Sequence, residues 1–203
     1  MNLNNNHTET ILGINLTMRR TVSIKRALDY CVQQHDGLYR KGEMGGCKLP
    51  YIFHPFAVAE LVWELGAGTP DNMIAALGHD LLEENSNLCF EDLEENLGTD
   101  PSKIIFELSF FPSKEFTKAD YINSFVNKSI EAVIIKIADR IHNTKSFFIQ
   151  SGYDYAPKYF HKCDSLFELF NKRKEEVVAR YGEKCFENIS NLISFNNDML
   201  KGK

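Results

Sequence analysis

The stretch AALGHDLLEEN, residues 75–85, sets His79 and Asp80 inside an apolar run and follows them with Glu83 and Glu84. An apolar segment has to be buried, and burial pulls the ionisable groups at its edge out of water. Such groups are costly there unless they are paired or bound to a metal. A second segment has the same problem, because Asp139 interrupts the Ile/Val-rich run AVIIKIADRI. Any fold of this chain must therefore supply compensation at both places. A shared divalent cation would supply it at both.

Helical spacing dominates the rest of the chain. In TVSIKRALDYCVQQHDGL the apolar positions Val22, Ile24, Ala27, Leu28, Cys31 and Val32 recur at helical intervals, with Thr21 or Ser23 as N-cap. The Gly-, Lys- and Arg-rich piece YRKGEMGGCKLPYIFHP reads as a loop leading into a helix that starts at Pro55. That helix would place Phe56, Ala59, Val62 and Trp63 on one face and end at Gly66, where a left-handed residue is favoured. NMIAALGHDLLEEN is expected as one further helix, CFEDLEENLG and PSKIIFELSFF as two short ones. ADYINSFVNKSIEAVIIKIADRIHNTKSFF should form two, the second from about Ser129. YAPKYFHKCDSLFELFNKRKEEVVARYG reads as one long helix and EKCFENISNLISFNNDML as the last. No alternating strands or tight hairpin signals support a sheet, so the expected fold class is all-α.

At 203 residues and 43% hydrophobic content, the chain can bury a full core, and its length favours one domain. Residues 1–17 form an Asn-rich segment ending in the short apolar patch ILGINL, and 18–203 the domain with its C-terminal helices. The formal net charge of −5 is the wrong sign for a nucleic-acid binder, although a local basic pocket for a small anion is compatible with it. Five widely spaced cysteines without a C-x-x-C pair read as reduced thiols of a cytoplasmic protein. No run approaches the roughly 20 apolar residues of a membrane span, and the start MNLNNNHTET has no apolar signal region.

On a helix, positions 79, 80, 83 and 84 project toward a common side. An imidazole and a carboxylate suit Zn, Mn or Fe, but two adjacent ligands leave most of the coordination sphere empty. His54 and Asp139 are the candidates to fill it. Taken singly, each residue has a plainer reading: His54 as a hydrogen bonder at a helix start, Asp139 paired with Arg140 or Lys136.

Taken together, the order H…HD…D with acids three and four residues after the HD pair resembles the HD-domain metal-dependent phosphohydrolases. The successive segments RKGEMGGCKLPYIFHPFAVAELV, AALGHDLLEEN, FEDLEENLG and IIKIADRIHNTKSF resemble motifs of the RelA/SpoT-type alarmone hydrolase domain over roughly residues 22 to 180. The resemblance implies an HD-domain helical bundle, with His54, His79, Asp80 and Asp139 as metal ligands and Mn²⁺ as the usual ion. It implies that Glu83 and Glu84 orient or deprotonate the attacking water. It further implies that Arg40 and Lys41 form the family's substrate-binding Arg-Lys pair, with Arg40 packing on the guanine base, and that Asn143 lies near the nucleotide sugar.

Three departures from the family pattern stand out. Glu84 replaces the family's Asp, lengthening that arm by one methylene. The loop KGEMGGCKLPY is several residues longer than usual. ELSFFPSKEFTKADYI lacks the Val-Thr-Lys or Val-Thr-Asp segment common in the family.

The implied reaction is hydrolysis of the 3′-diphosphate of ppGpp or pppGpp to GDP or GTP and pyrophosphate, by a small stand-alone hydrolase. Neither a P-loop motif nor a second domain for alarmone synthesis is seen in the sequence. Two other readings stay open. One is the same chemistry on another nucleotide, such as ppApp, NADPH or a dNTP. The other is a catalytically degenerate module that binds a nucleotide or a protein partner. The partner is a small-molecule nucleotide, with no nucleic acid and no membrane. A homo-oligomer is compatible with the sequence, which leaves the oligomeric state open.

Overall fold

The computed structural model describes residues 24–44, 47–151 and 155–201, with the side chains of 41–44, 47, 147–151 and 155 outside that description. The Asn-rich segment 1–17 and the expected caps Thr21 and Ser23 lie outside the described residues. Helix α1 (24–34) turns Ala27 and Cys31 into the core, while Val32 faces solvent. The expected loop that follows contains an antiparallel hairpin, β1 (Tyr39–Met44) and β2 (Cys47–Pro50), pairing Glu43 with Lys48 and Tyr39 with Pro50. β1 does not alternate apolar and polar residues and β2 is only four residues long, which hid the hairpin. The signal present was the Gly45-Gly46 pair between two extended runs.

Helix α2 (Phe53–Glu64) starts two residues before Pro55, which sits in the first turn, where a missing N–H costs nothing. Its inward stripe is Val58, Ala59 and Val62. Phe56 and Trp63, expected on that face, are 50% and 65% exposed, because the stripe is rotated one step along the helix. Gly66 closes the helix at φ +93°, as the sequence implied.

The expected helix over 72–85 is broken in two. α3 (Pro70–Gly78) is capped by the Thr69 hydroxyl, which accepts the Asn72 N–H, and α4 (Leu81–Glu84) begins after a turn at His79–Asp80. The Asp80 carbonyl accepts the N–H of both Glu83 and Glu84, so a new helical turn is seeded there. In one straight helix adjacent residues diverge by about 100°. The break instead lets both His79 and Asp80 turn to the same interior point. Just before the break, Gly78 lets the backbone pack closely on Ile105: a Cβ there would lie 2.7 Å from the Ile105 methyl.

α5 (Phe90–Leu97), α6 (Thr99–Leu108) and α7 (Lys118–Asn123) precede a 3₁₀ turn (Ser124–Asn127) and then α8 (Ile130–Ser151). α8 is the central rod. Ile130, Ala132, Val133, Ile134, Ile135, Ile137, Ala138 and Ile141 are all essentially inaccessible, as expected of a helix apolar nearly all round. It packs against α2, α3, α6 and the C-terminal helices.

The expected long helix over 155–182 is three: α9 (Tyr155–His161), α10 (Asp164–Lys172) and α11 (Lys174–Tyr181). Bends near Cys163 and Arg173 keep Phe160, Cys163, Leu166, Phe170 and Val177 on the core, which a straight rod would leave. α12 (Glu183–Leu200) ends the described chain as a single helix. The architecture is an all-α bundle carrying one small hairpin. Among the described residues, no helix is long and apolar enough to cross a membrane. Cys31, Cys89, Cys163 and Cys185 are free thiols.

Candidate metal centre

Three elements meet beside α8. The first turn of α2 delivers His54, the break between α3 and α4 delivers His79 and Asp80, and α8 delivers Asp139. All four are buried. One nitrogen each from His54 and His79 and one oxygen from Asp80 lie within 4.8 Å of one another. The two Nε2 atoms are 3.3 Å apart, and Asp80 Oδ2 lies 3.5 Å from His54 Nε2 and 3.2 Å from His79 Nε2. Asp139 Oδ1 lies 3.2 Å from His54 Nε2 and 3.8 Å from His79 Nε2. A cation held at about 2.0–2.2 Å from nitrogen and oxygen ligands sets neighbouring donors about 3 Å apart, which is the size of this cluster.

Each donor is fixed from behind. The Ala76 carbonyl can only accept, so His79 Nδ1, 2.8 Å away, carries a proton and Nε2 is the nitrogen turned inward. His54 Nδ1 is held by His142 Nδ1 at 2.7 Å. Asp139 Oδ2 is paired with Lys136 Nζ at 2.9 Å, and its Oδ1 accepts a hydrogen bond from Asn143 Nδ2. Tyr51 Oη donates to Asp80 Oδ2 at 2.7 Å.

The electrostatics agree with a cation site. Burial pushes the Asp80 carboxyl up, but the His79 charge and the hydrogen bonds of both histidines outweigh it and hold the group well below the usual carboxylate range. Asp139 is likewise held low against burial, by Lys136 first and then the histidines. Burial would lower His79, yet Asp80 and Asp139 raise it to about 9, so the carboxylates recruit a proton to the centre. A divalent cation would satisfy the same carboxylates in place of that proton and would take the inward imidazole nitrogens as ligands, and the donor set fits one.

The other sequence-derived positions surround this centre. Glu83 Oε1 accepts the Phe110 N–H at 2.9 Å, and Glu84 Oε1 lies 3.3 Å from Tyr51 Oη. Both are at the exposed rim and belong to α4, a separate helix from α3, which corrects the expected single helical face. Partial burial, with Asp80 and Asp139 nearby, raises the Glu83 pKa against the pull of Lys136. Arg40 Nη2 donates to Asn143 Oδ1 at 2.6 Å, so these two expected substrate contacts adjoin each other and Asp139. The Lys41 side chain lies outside the described residues.

Sequence reasoning missed Tyr51 and His142, and assigned Lys136 only as a routine partner of Asp139. Their one signal was spacing: Tyr51 stands three residues before His54, and Lys136 and His142 stand three either side of Asp139 on α8. Beside α8 a cavity of ≈ 360 Å³ is lined by Lys118, Ala119, Ile122, Arg140, Tyr159 and Lys162. Arg140 does not pair with Asp139; its guanidinium lies 4.0 Å from the Tyr159 ring centroid. Lys118 Nζ stands 6.0 Å from the ring of Phe110, the residue that holds Glu83.

No family model matches the chain. It is 33% identical over 135 residues to the guanosine-3′,5′-bis(diphosphate) 3′-pyrophosphohydrolase of Spiroplasma citri, covering 61% of this chain and 17% of that protein. The protein of the same name from Aquifex aeolicus is 28% identical over 132 residues, with 62% and 18% covered. The chain thus spans less than a fifth of the length of these curated relatives. A Xenopus tropicalis guanosine-3′,5′-bis(diphosphate) 3′-pyrophosphohydrolase is 30% identical over 126 residues, covering 60% of this chain and 68% of its own length. Among solved structures, a metazoan orthologue of SpoT that hydrolyses ppGpp and acts in starvation responses superposes with TM-score 0.65 at 19% identity, over 85% of this chain and 94% of that one. That likeness establishes the shared fold. With the similarity in sequence to the Xenopus protein, it shows that the chain belongs to the RelA/SpoT-type family of HD-domain guanosine-3′,5′-bis(diphosphate) 3′-pyrophosphohydrolases.

Proposed function

We propose that the protein hydrolyses the 3′-diphosphate of guanosine alarmones, converting ppGpp or pppGpp to GDP or GTP and pyrophosphate, with Mn²⁺ as its ion. The observation that carries this reading is the convergence of His54, His79, Asp80 and Asp139 on one buried point, each fixed from behind. Those four residues would hold the ion. When bound, a divalent cation lowers the pKa of water and stabilises charge on phosphoryl oxygens.

The chain's own residues do the rest. A planar guanidinium suits stacking on a purine, so Arg40 receives the base and Asn143, its neighbour, the sugar. Lys118, Arg140 and Lys162 give the cavity beside α8 a cationic lining of the kind that suits phosphate oxygens. Glu83, oriented by the Phe110 N–H, takes the proton of the attacking water as a P–O bond forms. The bond from phosphorus to the 3′ oxygen breaks, that oxygen recovers a proton, and pyrophosphate leaves.

The test is product analysis after mixing the Mn²⁺-loaded protein with ppGpp, ppApp, NADPH and dNTPs in parallel, with Asp80→Asn as control. Selective release of pyrophosphate from ppGpp supports the reading. Turnover of another nucleotide alone, or of none despite bound Mn²⁺, refutes it.

A further inference from the structure

We propose that Tyr51 is a positioning residue whose single phenolic proton ties Asp80 to Glu84, holding the longer Glu84 arm at the centre. The inference rests on the hydrolase reading above. Tyr51 Oη lies 2.7 Å from Asp80 Oδ2 and 3.3 Å from Glu84 Oε1, and no other hydrogen bond to the Glu84 side chain occurs among the described residues. The oxygen it reaches on Asp80 is the one that faces both imidazoles. The phenol therefore acts on the ligand atom itself.

Glu84 is exposed and stands on the four-residue helix α4, so its own helix does little to fix its rotamer. A glutamate has one more rotatable bond than an aspartate, and a free one at the rim spends most of its time in solvent. Tyr51 can restrain it because the ring itself is restrained. His35, buried and donating to the Cys31 carbonyl, stacks on Tyr51 at 5.2 Å with the planes 6° apart. The Arg40 guanidinium stands 5.6 Å from the ring centroid. The chain thus fixes from the hairpin side an acid that its own short helix leaves loose.

The test is a double-mutant cycle on Tyr51→Phe and Glu84→Asp, with calorimetric Mn²⁺ titration of each protein. Phenylalanine keeps the ring and its stacking, so a packing role would leave both readouts unchanged. Misplacing a reacting group by about 1 Å costs up to about 100-fold, so Tyr51→Phe should lower kcat by about 10–100-fold with KM nearly unchanged. Glu84→Asp removes the same contact, so the double variant should be no slower than the slower single one. Losing the donor to Asp80 should weaken Mn²⁺ binding about 10-fold. Additive kinetic losses, or unchanged Mn²⁺ affinity in Tyr51→Phe, overturn the proposal. Were the wild type inactive on every nucleotide, the hydrolase reading would fall, and the Mn²⁺ affinities would still decide whether Tyr51 positions Asp80.

Discussion

Lys136→Met isolates the electrostatic core of the candidate centre. Lys136 Nζ lies 2.9 Å from Asp139 Oδ2, and both side chains are at least nine-tenths buried. Against its burial, Asp139, Tyr121 and Glu83 hold the Lys136 pKa well above its usual range. Methionine fills a similar volume, so the main loss is the charge. Breaking a buried pair by removing one partner costs about 3–5 kcal/mol, since the other charge is left uncompensated. Asp139 keeps its contacts to Asn143 and His54, which places the expectation at the low end, about 3 kcal/mol. For a domain of this size that is a fall of about 6–12 °C in Tm. If Asp139 serves as a ligand, a bound cation would supply part of the missing compensation, so saturating Mn²⁺ should raise the Tm of the variant more than that of the wild type. Thermal unfolding of both proteins, with chelator and with Mn²⁺, is the assay. A loss below about 1 kcal/mol, the range of ordinary surface pairs, would refute the buried-pair reasoning. Equal Mn²⁺-induced shifts in the two proteins would refute the link from Lys136 through Asp139 to the ion.

Asp80→Asn removes one charge from the donor set and should cost Mn²⁺ affinity and all turnover while leaving the helical circular-dichroism spectrum intact; full activity would sink the assignment of Asp80 as a ligand. Glu83→Gln keeps the Phe110 contact but cannot take a proton, so kcat should fall by about 10²–10⁴-fold with Mn²⁺ affinity unchanged, and normal turnover would remove Glu83 from the proton's path. In the metal-free protein, His79 is raised from its usual 6.5 to about 9, so its contribution to stability is complete below pH 6.5 and is lost as pH rises through 9. Denaturant unfolding should show this decline in the wild type and not in His79→Gln; an equal decline in both would place the effect elsewhere.

What the sequence disclosed and what it hid differ in a physical way. His79, Asp80 and Asp139 declared themselves because each is polar inside an apolar run, and the cost of burying such a group is visible without coordinates. Helices α1, α2, α5, α6 and α8 were legible through apolar periodicity. Tyr51 carries no such mark: a tyrosine between Pro50 and His54 looks alike whether its hydroxyl meets solvent or a carboxylate. The break at His79–Asp80 was invisible because AALGHDLLEEN satisfies helical spacing throughout, and the turn that aims two adjacent side chains at one point leaves no mark in that spacing.

Asp139 shows why two sequence readings that seem exclusive can both hold. Pairing with Lys136 and facing a cation were alternatives for one residue, yet a carboxylate has two oxygens. Oδ2 meets the lysine, and Oδ1 faces the imidazoles. The lysine offsets the cost of keeping Asp139 charged in the core, and its other oxygen stays turned toward the imidazoles. The salt bridge and the proposed ligand role thus fall on different oxygens of one carboxylate, and Lys136→Met tests whether they are coupled.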